Sequence, residues 1–221
     1  MSTSTAPEFY PVLKDLPRVT VAAGTTLQLM VVAADGFHCA GVDLASGALV
    51  RAWSTVAAEP RPRPFDVVEV VLDGDSDTVP DPAQPEALAI AGAPQVVDRI
   101  VGRRCERMLR PLLHPKGQAL LGVSATAIPF WERRGDHPSI AVVEPEGKVT
   151  FHRQGAYLAC RFEWQGHQRE LPCLDRAVAG HMDRHGRAVL TAGKGDRLVV
   201  ALTAPIDGRC HKVVETLLRR S

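Results

Sequence analysis

The sequence predicts a mainly β protein with a few helices, divided into two small β units joined by a helical connector. Short apolar runs rich in β-branched residues recur in both halves and are separated by turn dipeptides such as Asp35-Gly36, Glu146-Gly147 and Gln165-Gly166. A central stretch instead carries apolar residues at helical spacing. The 221 residues include 18 glycines and 17 prolines, which is typical of many turns, and this length allows two small domains.

The first half predicts an arm followed by a β unit. Residues 1–26 are assigned to an N-terminal arm, because Pro7, Pro11 and Pro17 interrupt a stretch with little periodicity. Residues 27–92 are assigned to the first β unit, with strands expected at 27–34, 37–44, 48–54 and 65–72. Aspartates and prolines crowd residues 73–85, so this segment is expected to be a long surface loop.

A helical connector is predicted over residues 93–137. Its helix is expected to begin near Pro94 and to end at Pro111. The apolar positions that recur every three or four residues are Val97, Ile100, Val101, Cys105, Met108 and Leu109. A polar break at residues 131–136 marks the approximate end of the connector.

The second β unit, residues 138–221, has the clearer order of elements. In residues 157–164, Leu158, Phe162 and Trp164 share one face of a strand, so Trp164 is predicted to be a core residue. Asp175 is expected to cap a helix that ends near Gly186. Strand, strand, strand, helix, strand, strand is the order of a five-stranded OB barrel. The fold predicted is therefore two small OB-like β-barrels joined by a helical connector.

Composition excludes several classes of protein. The formal net charge is +1 and 45% of residues are hydrophobic, so the chain can bury a core and is not disordered. No apolar run is long enough to span a membrane, and no secretory signal is evident, so a cytoplasmic location and no membrane partner are expected. Five widely spaced cysteines are expected to be reduced and mostly buried.

Several short motifs resemble one family in the same order. They are GFHCAGVD at residues 36–43, GALVRAWS at 47–54, DVVE at 66–69, QPE at 84–86, LPCLD at 171–175 and CHKVV at 210–214. Together they resemble the bacterial dual-OB-domain proteins, over roughly residues 27–217. The resemblance implies two OB barrels in a cytoplasmic bacterial protein that binds nucleic acid; it implies no active site.

The sequence predicts neither a metal site nor a cofactor. His181 and His185 lie four residues apart, but no third ligand is evident, so a solvated helix face is favoured. The acidic residues of the 73–81 segment lack the glycine and distal glutamate of a calcium loop. Ser124 lacks the second glycine of a nucleophile elbow. An unrecognised enzyme site stays open as a third hypothesis, and no catalytic residue is assigned.

Basic residues carry the leading functional hypothesis. Arg99, Arg103, Arg107 and Arg110 are spaced to share one face of the predicted connector helix, and arginine forks suit phosphate groups. The same face would equally serve to pair with the acidic 73–81 loop or with a partner subunit. On the predicted barrels, Arg51, Trp53, Arg153 and Arg161 would supply charge and base stacking for single strands.

The function predicted is non-catalytic binding of single-stranded RNA or DNA by a dual OB-like module. The alternative is a protein-interaction subunit of a larger bacterial complex, because a dedicated nucleic-acid binder is often strongly basic. The partner expected is therefore a single-stranded nucleic acid or a protein.

Overall fold

A computed structural model of the chain describes residues 22–73, 83–133 and 138–220. Within them the protein is mainly β, with two sheets and two short α-helices, as the sequence predicts. The first sheet contains β1 (Thr26–Ala34), β2 (His38–Asp43), β3 (Leu49–Trp53), β4 (Asp66–Val71), β5 (Ala87–Ala89) and β6 (Gln95–Arg99). The predicted arm and acidic loop fall largely or wholly outside the described residues.

The strands of the first sheet lie in the order β5-β3-β2-β1-β4-β6. Neighbours are antiparallel except β3 and β5, which are parallel. An isolated antiparallel bridge between Leu72 and Ile90 joins the end of β4 to the end of β5. The turn between β1 and β2 is fixed by Asp35, whose carboxylate accepts from the amides of Phe37 (3.0 Å) and His38 (2.9 Å).

The connector differs from the prediction. Residues 95–99 form β6, and the helix α1 (Arg103–Leu109) begins only after Gly102, at φ 64°. The prediction of a helix is wrong over residues 94–102, because β4 pairs with residues 95–99 as a strand, with Val96 opposite Val68. Arg99 therefore lies on a strand and does not share a helix face with the arginines of α1.

The second sheet is formed by the C-terminal part of the chain. Its elements are β7 (Ala127–Pro129), β8 (Ile140–Val143), β9 (Thr150–Gln154), β10 (Tyr157–Trp164), β11 (His167–Cys173), α2 (Arg176–Arg184), β12 (Val189–Thr191), β13 (Arg197–Leu202) and β14 (Arg209–Leu218). The order is β12-β9-β10-β11-β14-β13-β8, with β7 on β14. Strands β11 and β14 are parallel at Cys173 and Val214.

Several local predictions are confirmed, most of them in this half. Asp175 is the N-cap of α2, because its Oδ1 accepts from the amides of Ala177 (2.8 Å) and Val178 (3.0 Å). Gly186 has φ 57° after the helix. Trp164 is buried with Phe151 and Phe162 in the core of the second sheet. All five cysteines are free and buried, also as expected.

The two sheets share an apolar interface. Met30 and Val32 of the first sheet pack in one cluster with Val142 and Val199 of the second, and α1 adds Cys105 to it. No helix among the described residues is long and apolar enough to cross a membrane. Burial of this interface holds the two sheets in fixed contact, so side chains from both can form one site.

The buried His114 anchors the loop between α1 and β7. Its Nε2 accepts from the Leu121 amide at 3.0 Å, so the proton resides on Nδ1, 3.1 Å from the Pro115 carbonyl oxygen. This contact stabilises a left-handed turn at Leu121, at φ 56°. Burial is the main cause that lowers the pKa of His114, with a further contribution from the charge of Lys212.

We expect His114 to make the protein less stable in weak acid. A folded-state pKa below 6.5 means that the unfolded chain binds the proton more tightly, so this contribution to stability is present above pH 6.5 and lost as pH falls through the lowered pKa. Urea unfolding between about pH 7 and pH 5 should show a steeper loss for the wild type than for H114Q. If the free energy of unfolding depends on pH equally in the wild type and in H114Q, the lowered pKa of His114 is contradicted.

Candidate nucleic-acid interface

Arg51 does not lie on the surface, so its assignment as a nucleic-acid contact is corrected. Only 2% of its side chain is exposed, and its Nη1 lies 3.1 Å from Oε1 of Glu215 on β14. Glu86 lies at the limit of ion-pair distance, 4.0 Å from the Arg51 Nε. Both faces of strand β3 are covered, and the Arg51 side chain extends toward β14 of the second sheet. Arg51 therefore joins the two sheets by a buried ion pair.

His38 extends this buried cluster. Its Nδ1 is 2.9 Å from Oδ2 of Asp35 and its Nε2 is 3.7 Å from Oε2 of Glu215. Burial lowers the pKa of His38, but the two carboxylates outweigh it and raise the pKa to about 9. Burial raises the pKa of Glu215, whereas Arg51 and His38 lower it by more. The cluster is therefore an internal ionic network.

A second pH dependence follows from His38. Because its folded-state pKa is raised, its contribution to stability is complete below pH 6.5 and is lost as pH rises toward about 9. We expect the free energy of unfolding of the wild type to fall across this range relative to H38Q, as measured by urea unfolding at a series of pH values. A constant difference between the two proteins would show that His38 does not change protonation there.

Trp53 belongs partly to the same cluster. Its ring stacks on His38, with the centroids 4.9 Å apart and the planes inclined by 25°. The side chain is half-buried and its indole nitrogen is buried. One face of Trp53 is thus occupied within the protein, which limits its use for stacking on a base.

The other arginines singled out from the sequence occupy separate surfaces. Arg103, Arg107 and Arg110 are exposed on α1 and the turn that follows it. Arg153 forms an ion pair with Asp183 of α2. Arg161 contacts Glu170 through Nε (3.0 Å) and Nη2 (2.7 Å). Only Arg99 reaches the basic surface described next, and the structure does not bring the predicted set together.

A larger basic surface lies where the two sheets meet. We call it the interface groove: a cleft of about 840 Å³ between the 60–65 segment of the first half and α2 with the end of β14. Seven arginines line it, all of them exposed: Arg61, Arg63, Arg99, Arg176, Arg184, Arg219 and Arg220. Arg99 pairs with Asp66. Among the described residues, no carboxylate lies within ion-pair distance of the other six.

The carboxylates that line the groove are already engaged inside the protein. Asp35 and Glu215 face His38, and Glu215 also faces Arg51. Asp175 caps α2 and accepts the Leu217 amide on its Oδ2 at 2.8 Å. Their negative charge is therefore largely balanced locally, and the exposed rim of the groove is strongly positive.

The protonation of His181 reflects this positive field. Partial desolvation, followed by the charges of His185, Arg187, Arg219 and Arg184, lowers its pKa. The rings of His181 and His185 lie 4.4 Å apart between centroids, so the predicted pairing on one helix face is present. Within the described ranges, however, no three potential ligands cluster as a metal site requires.

Sequence reasoning missed most of the groove because its arginines come from four separate segments. Arg61 and Arg63 alternate with prolines in the short segment between two predicted strands, 48–54 and 65–72. The one pattern in the sequence that points to the groove is that basic residues fall at the ends of elements, as at Arg176, Arg219 and Arg220. Only the packing of the two sheets brings these ends together.

Comparisons with known proteins give no family for this chain. No family model matches it, and neither does any curated protein. Among solved structures, the p204 HINb domain overlaps 90% of this chain and 95% of its own, at 11% identity and a TM-score of 0.38. The tetrameric p202 HIN2 overlaps 88% and 91%, at 10% identity and a TM-score of 0.34. At such scores nothing about this chain follows from the overlap.

Proposed function

We propose that this protein binds single-stranded RNA or DNA along the interface groove, without catalysis. The observation that carries the proposal is the set of seven exposed arginines on one cleft, six of which have no ion-pair partner among the described residues. Guanidinium groups bind phosphate oxygens through two parallel hydrogen bonds, and a row of them suits a polyanionic backbone better than a single small anion.

The proposal includes two OB-like units, one in each sheet. Support comes from the strand pairings: β1, β2 and β3 pair in series, β3 pairs in parallel with β5, and β4 returns to β1. In the second sheet β9, β10 and β11 pair in series, β11 is parallel to β14, and α2 lies between β11 and the strands that complete the sheet. OB folds bind oligonucleotides on such units.

The character of the groove indicates recognition of the backbone. Three prolines and several aliphatic side chains form its apolar lining, and among the residues that line it Phe65 is the one phenylalanine, with no tryptophan or tyrosine. Aromatic residues make up only 5% of the chain. Base stacking therefore contributes little, and we expect binding that tolerates many sequences and depends steeply on salt.

The test is fluorescence anisotropy of a labelled single-stranded oligonucleotide with purified variants. R176Q/R184Q removes two groove charges, and R103Q/R107Q removes two charges that are also exposed, from α1. We expect the groove pair to weaken binding by roughly tenfold or more and the α1 pair to change it by less than about twofold. The opposite result would move the site to α1. No binding by the wild type at low salt would overturn the proposal and favour a protein-interaction subunit.

A further inference from the structure

A second cavity lies between the 117–126 loop and the second sheet, and it shares no lining residue with the interface groove. We call it the loop cavity. It has a volume of about 300 Å³, at the small end of the range for small-molecule sites. Its walls are the 117–126 loop, the turn between β10 and β11, and the side chains of Arg169 and Lys212.

Lys212 is a buried cation, and no described residue supplies it with a counter-ion. Only 4% of the residue is exposed, and its ammonium group donates to the carbonyl oxygen of Val123. An ammonium has three donors, and among the described residues no other acceptor is found for it. Burial, followed by the charge of Arg169, lowers the pKa of Lys212 to about 8.

Arg169 adds a second incompletely satisfied cation to the same cavity. Its Nε is buried and has no hydrogen-bond partner in the part of the chain that the structure describes. No carboxylate is present among the residues that line the cavity. One buried and one half-buried cationic side chain thus line one cavity that has no carboxylate in its lining, an arrangement that is costly unless an anion occupies it.

The walls of the cavity are held in place by specific contacts. His114 fixes the turn at Leu121, and Gln165 donates from its side-chain amide to the carbonyl oxygen of Gln118, which joins the loop to the turn between β10 and β11. The backbone amide of Lys212, on β14, donates to the carbonyl oxygen of Thr126 at 2.8 Å and so joins β14 to the loop. A cavity built in this way is preorganised, so little ordering opposes ligand binding.

We propose that the loop cavity binds a small molecule through an oxyanion group, a phosphate or a carboxylate, held between Lys212 and Arg169. The guanidinium of Arg169 would supply paired donors and the ammonium of Lys212 a point charge. This site is independent of the interface groove and of nucleic-acid binding.

The experiment is thermal unfolding of the full chain titrated with sodium phosphate, with sodium chloride adjusted to hold ionic strength constant. Ligand that binds only the folded state stabilises it by RT ln(1 + [L]/Kd), so the midpoint temperature keeps rising with the logarithm of ligand concentration above Kd. We expect the midpoint temperature of the wild type to rise logarithmically with phosphate concentration, and we expect K212M and R169Q to lose most of that rise. Arg169 is only half-buried, so R169Q carries the test if K212M does not fold.

Two control variants and a second anion make the result specific. R161Q, on the neighbouring strand, and R176Q/R184Q, in the interface groove, should keep the full rise. Sodium acetate in place of phosphate distinguishes a carboxylate ligand from a phosphorylated one, according to which anion acts at the lower concentration. No rise with either anion, or an equal rise in K212M and R169Q, would overturn the proposal.

Discussion

R51M is expected to lower the free energy of unfolding by about 3–5 kcal/mol, the usual effect of removing one partner of a buried ion pair. The substitution leaves Glu215 charged, buried and facing only His38. Methionine approximately fills the volume of the arginine stem, so a cavity contributes little to the loss. The loss of unfolding free energy is measured by chemical denaturation, monitored by fluorescence and by circular dichroism.

A matched control separates burial from charge. Arg161 also pairs with a glutamate, but its side chain is 57% exposed, so R161M should change the free energy of unfolding by less than about 1 kcal/mol. In the double variant R51M/E215M, the loss should be smaller than the sum of the two single losses, because neither charge is left alone. Similar losses for R51M and R161M would contradict the buried network.

D175A is expected to destabilise the protein by about 2–4 kcal/mol and also to weaken nucleic-acid binding. The carboxylate accepts three amides: two begin α2 and the third belongs to Leu217 on β14. Loss of the cap contributes about 0.5–2 kcal/mol, and a buried amide left without a partner about 1–3 kcal/mol. Because α2 carries Arg176 and Arg184, its displacement should disturb the groove.

The variant D175N divides this effect into its parts. Asparagine retains one oxygen for the cap but places an amide nitrogen, which cannot accept, toward Leu217. We expect D175N to lose about half as much stability as D175A in the same urea titrations, and to bind an oligonucleotide more tightly than D175A. Equal stability of D175A and the wild type would show that the cap does not hold α2 to β14.

Local elements were predictable where one physical signal dominates. The alternation that places Trp164 in the core and the Asp175 cap both depend on neighbours in sequence, and both are confirmed. The prediction for residues 95–99 was wrong because their periodicity fits a helix, whereas the edge of β4 gives them the hydrogen bonds of a strand. An edge partner of this kind is created by the fold and cannot be inferred from a local window.

The site was harder to predict for a related reason. Whether an arginine is a surface charge or a buried one depends on what covers it, and Arg51 is covered by the second sheet. Residues 84–86 also depend on contacts between the halves, since Gln84 donates to the Leu202 carbonyl oxygen (3.2 Å) and Glu86 accepts from the Ser139 amide (3.1 Å). Contacts between the halves, absent from either half alone, determine these roles.

The most direct test of the central claim is the salt dependence of oligonucleotide binding. Each phosphate neutralised on a single strand contributes about −0.7 to the slope of log K against log salt concentration. For the wild type between ~50 and ~200 mM salt we expect a slope of about −3 or steeper, and R176Q/R184Q should make it shallower by about 1.4. A shallow slope for the wild type, or one unchanged in R176Q/R184Q, would contradict phosphate binding by the interface groove.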